Sequence, residues 1–399
     1  MTNDVVHSQD ELAVFRQEIQ QFLKSHLSAE LSARVRAGYY LSKEELANWN
    51  LALSKQGWTG FNWPREYGGP GWSPMQRYIF EEESAKAGAP ILITIGLNQV
   101  AALLMAYGTP AQKKQHLSGI QDGSDIWCQG FSEPQAGSDL ASMKCQAQLE
   151  GDHYVINGTK TWTTAAHWSS WCLLLARTDS SGKKQEGLTL LLLDMKTPGI
   201  TIRPIIGIDG IHSLNQLFLD NVKIPVHQRV GEEGKGWGLM KVFLGHERIS
   251  AAGIWRCRAH FDRLCHIARH QMRGSRPLLE HPVFKAKLAM IEIRMRALEI
   301  ILLGIINDPS RATDIEASHL KLRGTQTQQE LLRMISEAAG EYALPFHQTS
   351  ISKGWGEQTP IGPDFAATST PAYFFWRKAT ISGGSSEVMR NLIAQKLLS

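Results

Sequence analysis

Three successive regimes of residue patterning predict an α+β chain of several domains: an N-terminal helical domain, a small central β-domain and a C-terminal helical bundle. Apolar residues recur at helical spacing as far as Asp122-Gly123, give way to short strand-like runs, and return to the helical period from Trp237 nearly to the last residue. The corresponding boundaries are 1–125, 126–236 and 237–399. A chain of 399 residues, 43% of them hydrophobic, can bury a substantial core divided over such units.

The elements follow in order. From 8 to about 27, Leu12, Phe15, Ile19, Phe22, Leu23 and Leu27 make one helical stripe. A second helix is expected over 42–56, with Ser42 as its N-cap ahead of Glu44 and Glu45. The stretch 58–74, dense in glycine, proline and tryptophan, reads as a loop whose tryptophans anchor onto a core, with cover for a ligand as the competing reading. Helices resume over 74–87 and 91–107, and Thr109-Pro110 opens another with proline at its first position. Strands are expected at 154–156, 171–176, 188–193, 200–202 and 217–219, separated by Gly151-Asp152, Ser180-Ser181-Gly182 and Pro198-Gly199. A glycine-rich hinge at 231–236 leads back to helix, and a terminal helix is expected over 388–398.

Composition narrows the function classes. Forty-two Lys and Arg against 38 Asp and Glu leave a net charge of +4, too small and too dispersed to argue for nucleic acid. Five cysteines, odd in number and without a Cys-x-x-Cys pair, indicate neither a disulfide framework nor a zinc site and suit a reducing cytoplasm. The 14 histidines include no His-Glu-x-x-His run. No run of about 18 apolar residues occurs and the N-terminus has no apolar signal core, so a soluble cytoplasmic protein is expected.

Two segments carry a chemistry of their own. Trp127-Cys128-Gln129-Gly130-Phe131-Ser132-Glu133-Pro134-Gln135-Ala136-Gly137-Ser138-Asp139 and Asn157-Gly158-Thr159-Lys160-Thr161-Trp162-Thr163-Thr164 mix aromatic rings, hydroxyls and glycines. Rings offer a wall, hydroxyls and backbone N–H groups reach heteroatoms, and Gly137 permits close approach, which suits a flat, polar-edged ligand. Glu247 falls on the apolar stripe of the helix expected from Trp237, four residues after Phe243. Burial there would raise its pKa toward the range of a general base; a pair with Arg248 at a partly solvated edge is the ordinary structural explanation. Gly383-Gly384-Ser385-Ser386-Glu387, ahead of the terminal helix, gathers N–H groups and hydroxyls at a positive helix end, an anion site or a plain cap. Arginines 256, 258, 263, 269, 273 and 276 face only Asp262, as a solvated helix face or a pyrophosphate site.

Together with Trp63-Pro64-Arg65-Glu66-Tyr67-Gly68-Gly69 and the tail Gly383 to Asn391, these segments resemble, over nearly the whole chain, the acyl-CoA dehydrogenase family. The look is nearest to the large subunits of two-component enzymes such as pimeloyl-CoA dehydrogenase. The resemblance implies an FAD flavoprotein oxidoreductase of fatty acid β-oxidation that passes electrons to an electron-transfer flavoprotein. It carries Gln129, Phe131 and Ser132 to the flavin ring edge, Trp162 and Thr164 to its face and N5 side, and Ser385 and Glu387 to the dinucleotide. Ser138 is carried to the pantetheine arm and Arg248 to the thioester end of the substrate.

Most relatives hold their catalytic base where this chain has Gly383, which keeps only its N–H as a donor to the thioester oxygen. The Leu244-Gly245-His246-Glu247-Arg248 run matches instead the branches whose base lies on the helix. The resemblance therefore assigns Glu247 the α proton, while the β hydride leaves for flavin N5 and trans-2-enoyl-CoA forms. Two positions depart from the family. Gln271 stands where an arginine reaches the FAD pyrophosphate of a neighbouring subunit, with Arg273 as a possible substitute, and Glu337-Ala338-Ala339-Gly340-Glu341-Tyr342 replaces a Gln-x-x-Gly-Gly segment. Both act across a subunit interface in relatives, so the expected assembly is a homo-oligomer or a hetero-oligomer with a second, related chain. A non-catalytic or half-site subunit is the alternative reading.

Overall fold

The computed structural model describes residues 8–240, 252–346, 350–353, 359 and 361–398. Helix starts are written locally. Ser8, Ser42, Ser73 and Thr109 each accept an N–H from the third helical residue, and Glu11, Glu45, Gln76 and Gln112 return a bond to the cap N–H. These capping boxes start the helices Gln9–His26, Lys43–Lys55, Pro74–Ala87 and Pro110–Asp122 where the sequence placed them. A further helix, Ala29–Ala37, was not expected; it buries no side chain, so it has no apolar stripe to announce it. The helix expected over 91–107 begins later, as a π-helical stretch Ile95–Val100 continuing into Ala101–Tyr107. Ile91, Ile93, Thr94 and Ile95 form a β-branched run that resists helix just after Pro90. The tryptophan loop packs, as expected. Trp58 and Trp63 are buried, Trp63 Nε1 donates to the Leu97 carbonyl at 2.8 Å, and Trp72 stands edge-on to Phe15 at 5.1 Å.

The middle of the chain is one eight-stranded sheet. Its strands are β1 (Trp127–Gly130), β2 (Gln146–Glu150), β3 (His153–Thr164), β4 (Trp171–Arg177), β5 (Leu188–Asp194), β6 (Ile200–Ile206), β7 (His212–Pro225) and β8 (Arg229–Val230). They lie in the order β6-β7-β3-β2-β4-β5-β8, with β1 parallel to β4. β4 and β5 read as unbroken apolar runs because both faces are covered. Leu173, Leu175, Leu190 and Leu192 pack with Leu97, Val100 and Leu104 of the N-terminal helices. Cys172, Leu174, Leu191 and Leu193 pack with Tyr154, Ile156 and Leu217 on the other side. β3 and β7 are much longer than the apolar runs that signalled them, since their outer halves alternate with polar side chains.

Helices Ile254–His270, Pro282–Asn307, Asp314–Ala339, Ala366–Phe375 and Ser386–Leu398 make up the C-terminal part. Phe261, Leu264, Leu288, Ile291, Leu331 and Ile335 form its core. It is tied to the N-terminal helices by polar bonds: Tyr78 Oη donates to Glu299 Oε1 at 2.7 Å, and Arg263 Nη2 to Thr368 Oγ1 at 2.7 Å, which in turn donates to the Ala37 carbonyl at 2.6 Å. Among the described residues no helix is long and apolar enough to cross a membrane. Of the helix expected from Trp237, residues 241–251 lie outside the described residues, Glu247 and Arg248 among them.

His260 is one turn from both Arg256 and Arg263 on the helix Ile254–His270. Burial, then those two guanidinium groups, push its imidazole down to about 3. The unfolded chain takes up this proton near 6.5 and the folded chain only near 3, so the unfolded state binds more protons in between. Stability is therefore expected to fall as pH drops from about 6.5 toward 3, and His260→Gln to flatten that slope in urea titrations run across the same pH range.

Candidate active site

The two signature segments meet through one buried ion pair. Lys160, on β3, is fully buried; its Nζ donates to Glu133 Oε1 at 2.8 Å and to the Phe131 carbonyl at 3.1 Å. Glu133 also accepts the Cys145 N–H at 2.8 Å, the Lys144 N–H at 2.6 Å and Gln135 Nε2 at 2.7 Å. Burial alone would push the Glu133 carboxyl up, but Lys160 and the two backbone donors outweigh it and hold it below the usual carboxylate range. Beside this staple the Thr161 N–H donates to the Ser132 carbonyl at 2.8 Å. The loop after β1 is thereby pinned along β3. Neither Glu133 nor Lys160 has an expected role from sequence; the signal there is two opposite charges in otherwise aromatic and hydroxylic segments.

Just beyond the staple the strand breaks step. The β3–β7 register shifts between Lys160 and Thr163, and Trp162 takes φ 60°, a left-handed conformation unusual for so bulky a side chain. The residue is 58% exposed. Thr163 is buried, its carbonyl accepting Asn215 Nδ2 at 3.1 Å, and Thr164 is exposed again. The bulge thus turns Trp162 and Thr164 outward together. Gln129 is half-buried on β1, and Ser132 is half-buried on the pinned loop. The Phe131 ring lies in the hydrophobic core, so the part of this residue that can meet a ligand is its backbone.

Ser138 is exposed in the same loop, next to Asp139, which pairs with Lys184 at 2.8 Å. Arg177 clips this loop to its neighbour, donating to the Ala141 carbonyl at 2.7 Å and the Lys184 carbonyl at 2.9 Å. Gly137 leaves open space, since a Cβ there would meet nothing within 4 Å.

At the other end of the chain, Gly383 and Gly384 take φ 66° and 98°, conformations that suit glycine. Ser385 Oγ accepts the Val388 N–H at 3.3 Å, so its hydroxyl caps the helix Ser386–Leu398. Glu387 is exposed, 3.5 Å from Arg390. The arginine run is dispersed. Arg256 lies 5.1 Å over the Trp376 ring, Arg258 pairs with Asp262 at 3.4 Å, Arg263 reaches Thr368, and Arg269, Arg273 and Arg276 are exposed, Arg273 on a two-residue hairpin strand. Among the described residues the six arginines thus have separate surroundings.

Family models for the acyl-CoA dehydrogenase N-terminal, middle and C-terminal domains match residues 9–124, 128–222 and 234–398. The chain belongs to the acyl-CoA dehydrogenase family. It is 33% identical to the acyl-CoA dehydrogenase IpdE1 of Mycobacterium tuberculosis, with 96% of each chain covered. Among solved structures it is similar to the Tcur3481-Tcur3483 steroid ACAD (28% identity, TM-score 0.83, 98% of each chain). The ChsE4-ChsE5 complex of Mycobacterium tuberculosis is also similar (26% identity, TM-score 0.80, 99% of this chain and 98% of that one). An acyl-CoA dehydrogenase is a flavoprotein oxidoreductase, and the three-part α, β, α architecture is the one described above.

Removing the staple's cation leaves a carboxylate uncompensated in the interior. Lys160→Met is expected to lower unfolding free energy by ~3–5 kcal/mol in urea, and Lys160→Met combined with Glu133→Leu to recover most of it. A single variant as stable as the parent would show that the pair does not hold the loop.

Proposed function

We propose that this chain carries out FAD-dependent α,β-dehydrogenation of an acyl-CoA thioester, giving trans-2-enoyl-CoA. The observation that carries the proposal is Trp162, held in a strained backbone conformation with its ring turned outward beside Thr164. Such strain suits a functional wall better than a packing residue. A flat aromatic cofactor fits these residues: Trp162 and Thr164 against its face, Gln129, Ser132 and the backbone of Phe131 at its edge. Ser385, Glu387 and Arg273 would serve the dinucleotide. Bound FAD supplies the hydride acceptor.

The chain's own residues do the rest. Ser138 takes the pantetheine arm and Arg248 the thioester end. Glu247, which the sequence places on the apolar stripe of its expected helix, accepts the α proton. The Gly383 N–H meets the charge that develops on the thioester oxygen, a task that needs no side chain. The domain limits 1–125, 126–236 and 237–399, the electron-transfer flavoprotein as acceptor and a cytoplasmic location belong to the same proposal. Glu247→Gln is expected to retain flavin while losing at least about 100-fold in the rate of flavin bleaching across a panel of acyl-CoA thioesters. Undiminished bleaching would remove Glu247 from the mechanism.

A second reading has specific support. Gln271 and the 337–342 segment depart from the family where subunits meet, and two of the similar solved structures carry two-chain names. In this reading the chain is a half-site or non-catalytic subunit whose FAD sites are completed by a second, related chain. The chain purified alone is then expected to hold less than one FAD per protomer and to turn over poorly. A full FAD complement with turnover would exclude it.

A further inference from the structure

The Gly383 N–H can stabilise charge only if its direction is fixed, and its own loop cannot fix it. Two successive glycines in the left-handed region carry the least backbone restraint, while Ile381 and Ser382 beside them are exposed. The restraint comes from below. Lys321, on the helix Asp314–Ala339, is 1% exposed, and its Nζ donates to the Ala379 carbonyl at 3.2 Å and, in a short bond, to the Gly384 carbonyl. These two carbonyls flank Gly383 on either side, so one ammonium closes the loop at both ends. Two turns along the same helix, Gln329 Nε2 donates to the Trp376 carbonyl at 3.2 Å, the Arg377 carbonyl at 3.0 Å and Thr380 Oγ1 at 3.1 Å.

Burying an ammonium is costly, and here it is spent on main-chain carbonyls of a glycine loop. We infer that Lys321 is a positioning residue for the dehydrogenation: by bridging Ala379 and Gly384 it holds the Gly383 N–H aimed at the thioester oxygen, with Gln329 anchoring the turn before it. This rests on the role proposed above for Gly383. Where relatives present a side chain at that position, this chain presents only an N–H, so the accuracy of its placement matters more.

The test uses the flavin-loaded enzyme with 3-thia-acyl-CoA, whose α-deprotonated form gives a long-wavelength charge-transfer band with flavin. Lys321→Met is expected to keep the parent's flavin content, lose about 100-fold in kcat with KM within about threefold, and raise by about one unit the pH at which the band appears. Lys321→Arg is expected to recover most of both. A folded, flavin-loaded Lys321→Met with the parent's kcat and band pH overturns the inference. So does a loss confined to thermal stability. Should Lys321→Met fail to fold, Gln329→Leu carries the same two readouts, and a parental kcat and band pH in that variant overturn it. A parent that binds flavin but shows no band and no bleaching with any thioester sinks the Gly383 reading instead.

Discussion

The buried pair of Glu133 and Lys160 is the constraint on which the candidate site depends. A carboxylate and an ammonium withdrawn from water are tolerable only when nearly every lone pair and proton is met, and here the Lys144 and Cys145 N–H groups, Gln135 and the Phe131 carbonyl meet them. Because the pair and its partners come from three stretches of chain, the loop after β1, residues 144–145 and β3, satisfying the pair also fixes where the stretches lie. The loop after β1 is held along β3, and the outward turn of Trp162 begins two residues beyond the lysine.

The same device recurs in the C-terminal part. Lys321 is again a buried ammonium that fixes backbone, here through the Ala379 and Gly384 carbonyls on either side of Gly383. Arg177, donating to loop carbonyls around Ser138, is a third case at the surface. Each cation organises backbone: its hydrogen bonds run to loop carbonyls and fix the course of segments that would otherwise be free to move.

Family membership and geometry support the functional reading at different levels. The match of all three family models fixes the class of enzyme and its architecture. The residue assignments come from the resemblance, and the geometry bears on those among the described residues. The outward Trp162 and Thr164 suit a planar cofactor, while Phe131 is committed to the core and Ser385 to a helix cap, so each of these two would serve a ligand chiefly through backbone or a shared hydroxyl. The arginines between Arg256 and Arg276 are dispersed over different partners, and Arg273 is exposed on its hairpin strand.

By itself the sequence determined the α, β, α order, because hydrophobic period is a local property, and four helix starts, because a capping box is complete within four residues. It also singled out Trp162 and Thr164 through resemblance, two residues that the fold turns outward. Ala29–Ala37 was illegible because a helix that buries nothing has no apolar period, and the outer halves of β3 and β7 because polar residues there are ordered by pairing with a distant strand. Only tertiary structure decided that Glu133, Lys160 and Lys321 are interior. Apart from the nearby Gln135, the partners that make their burial possible lie 11 to 63 residues away along the chain, so the counter-groups are supplied by the fold.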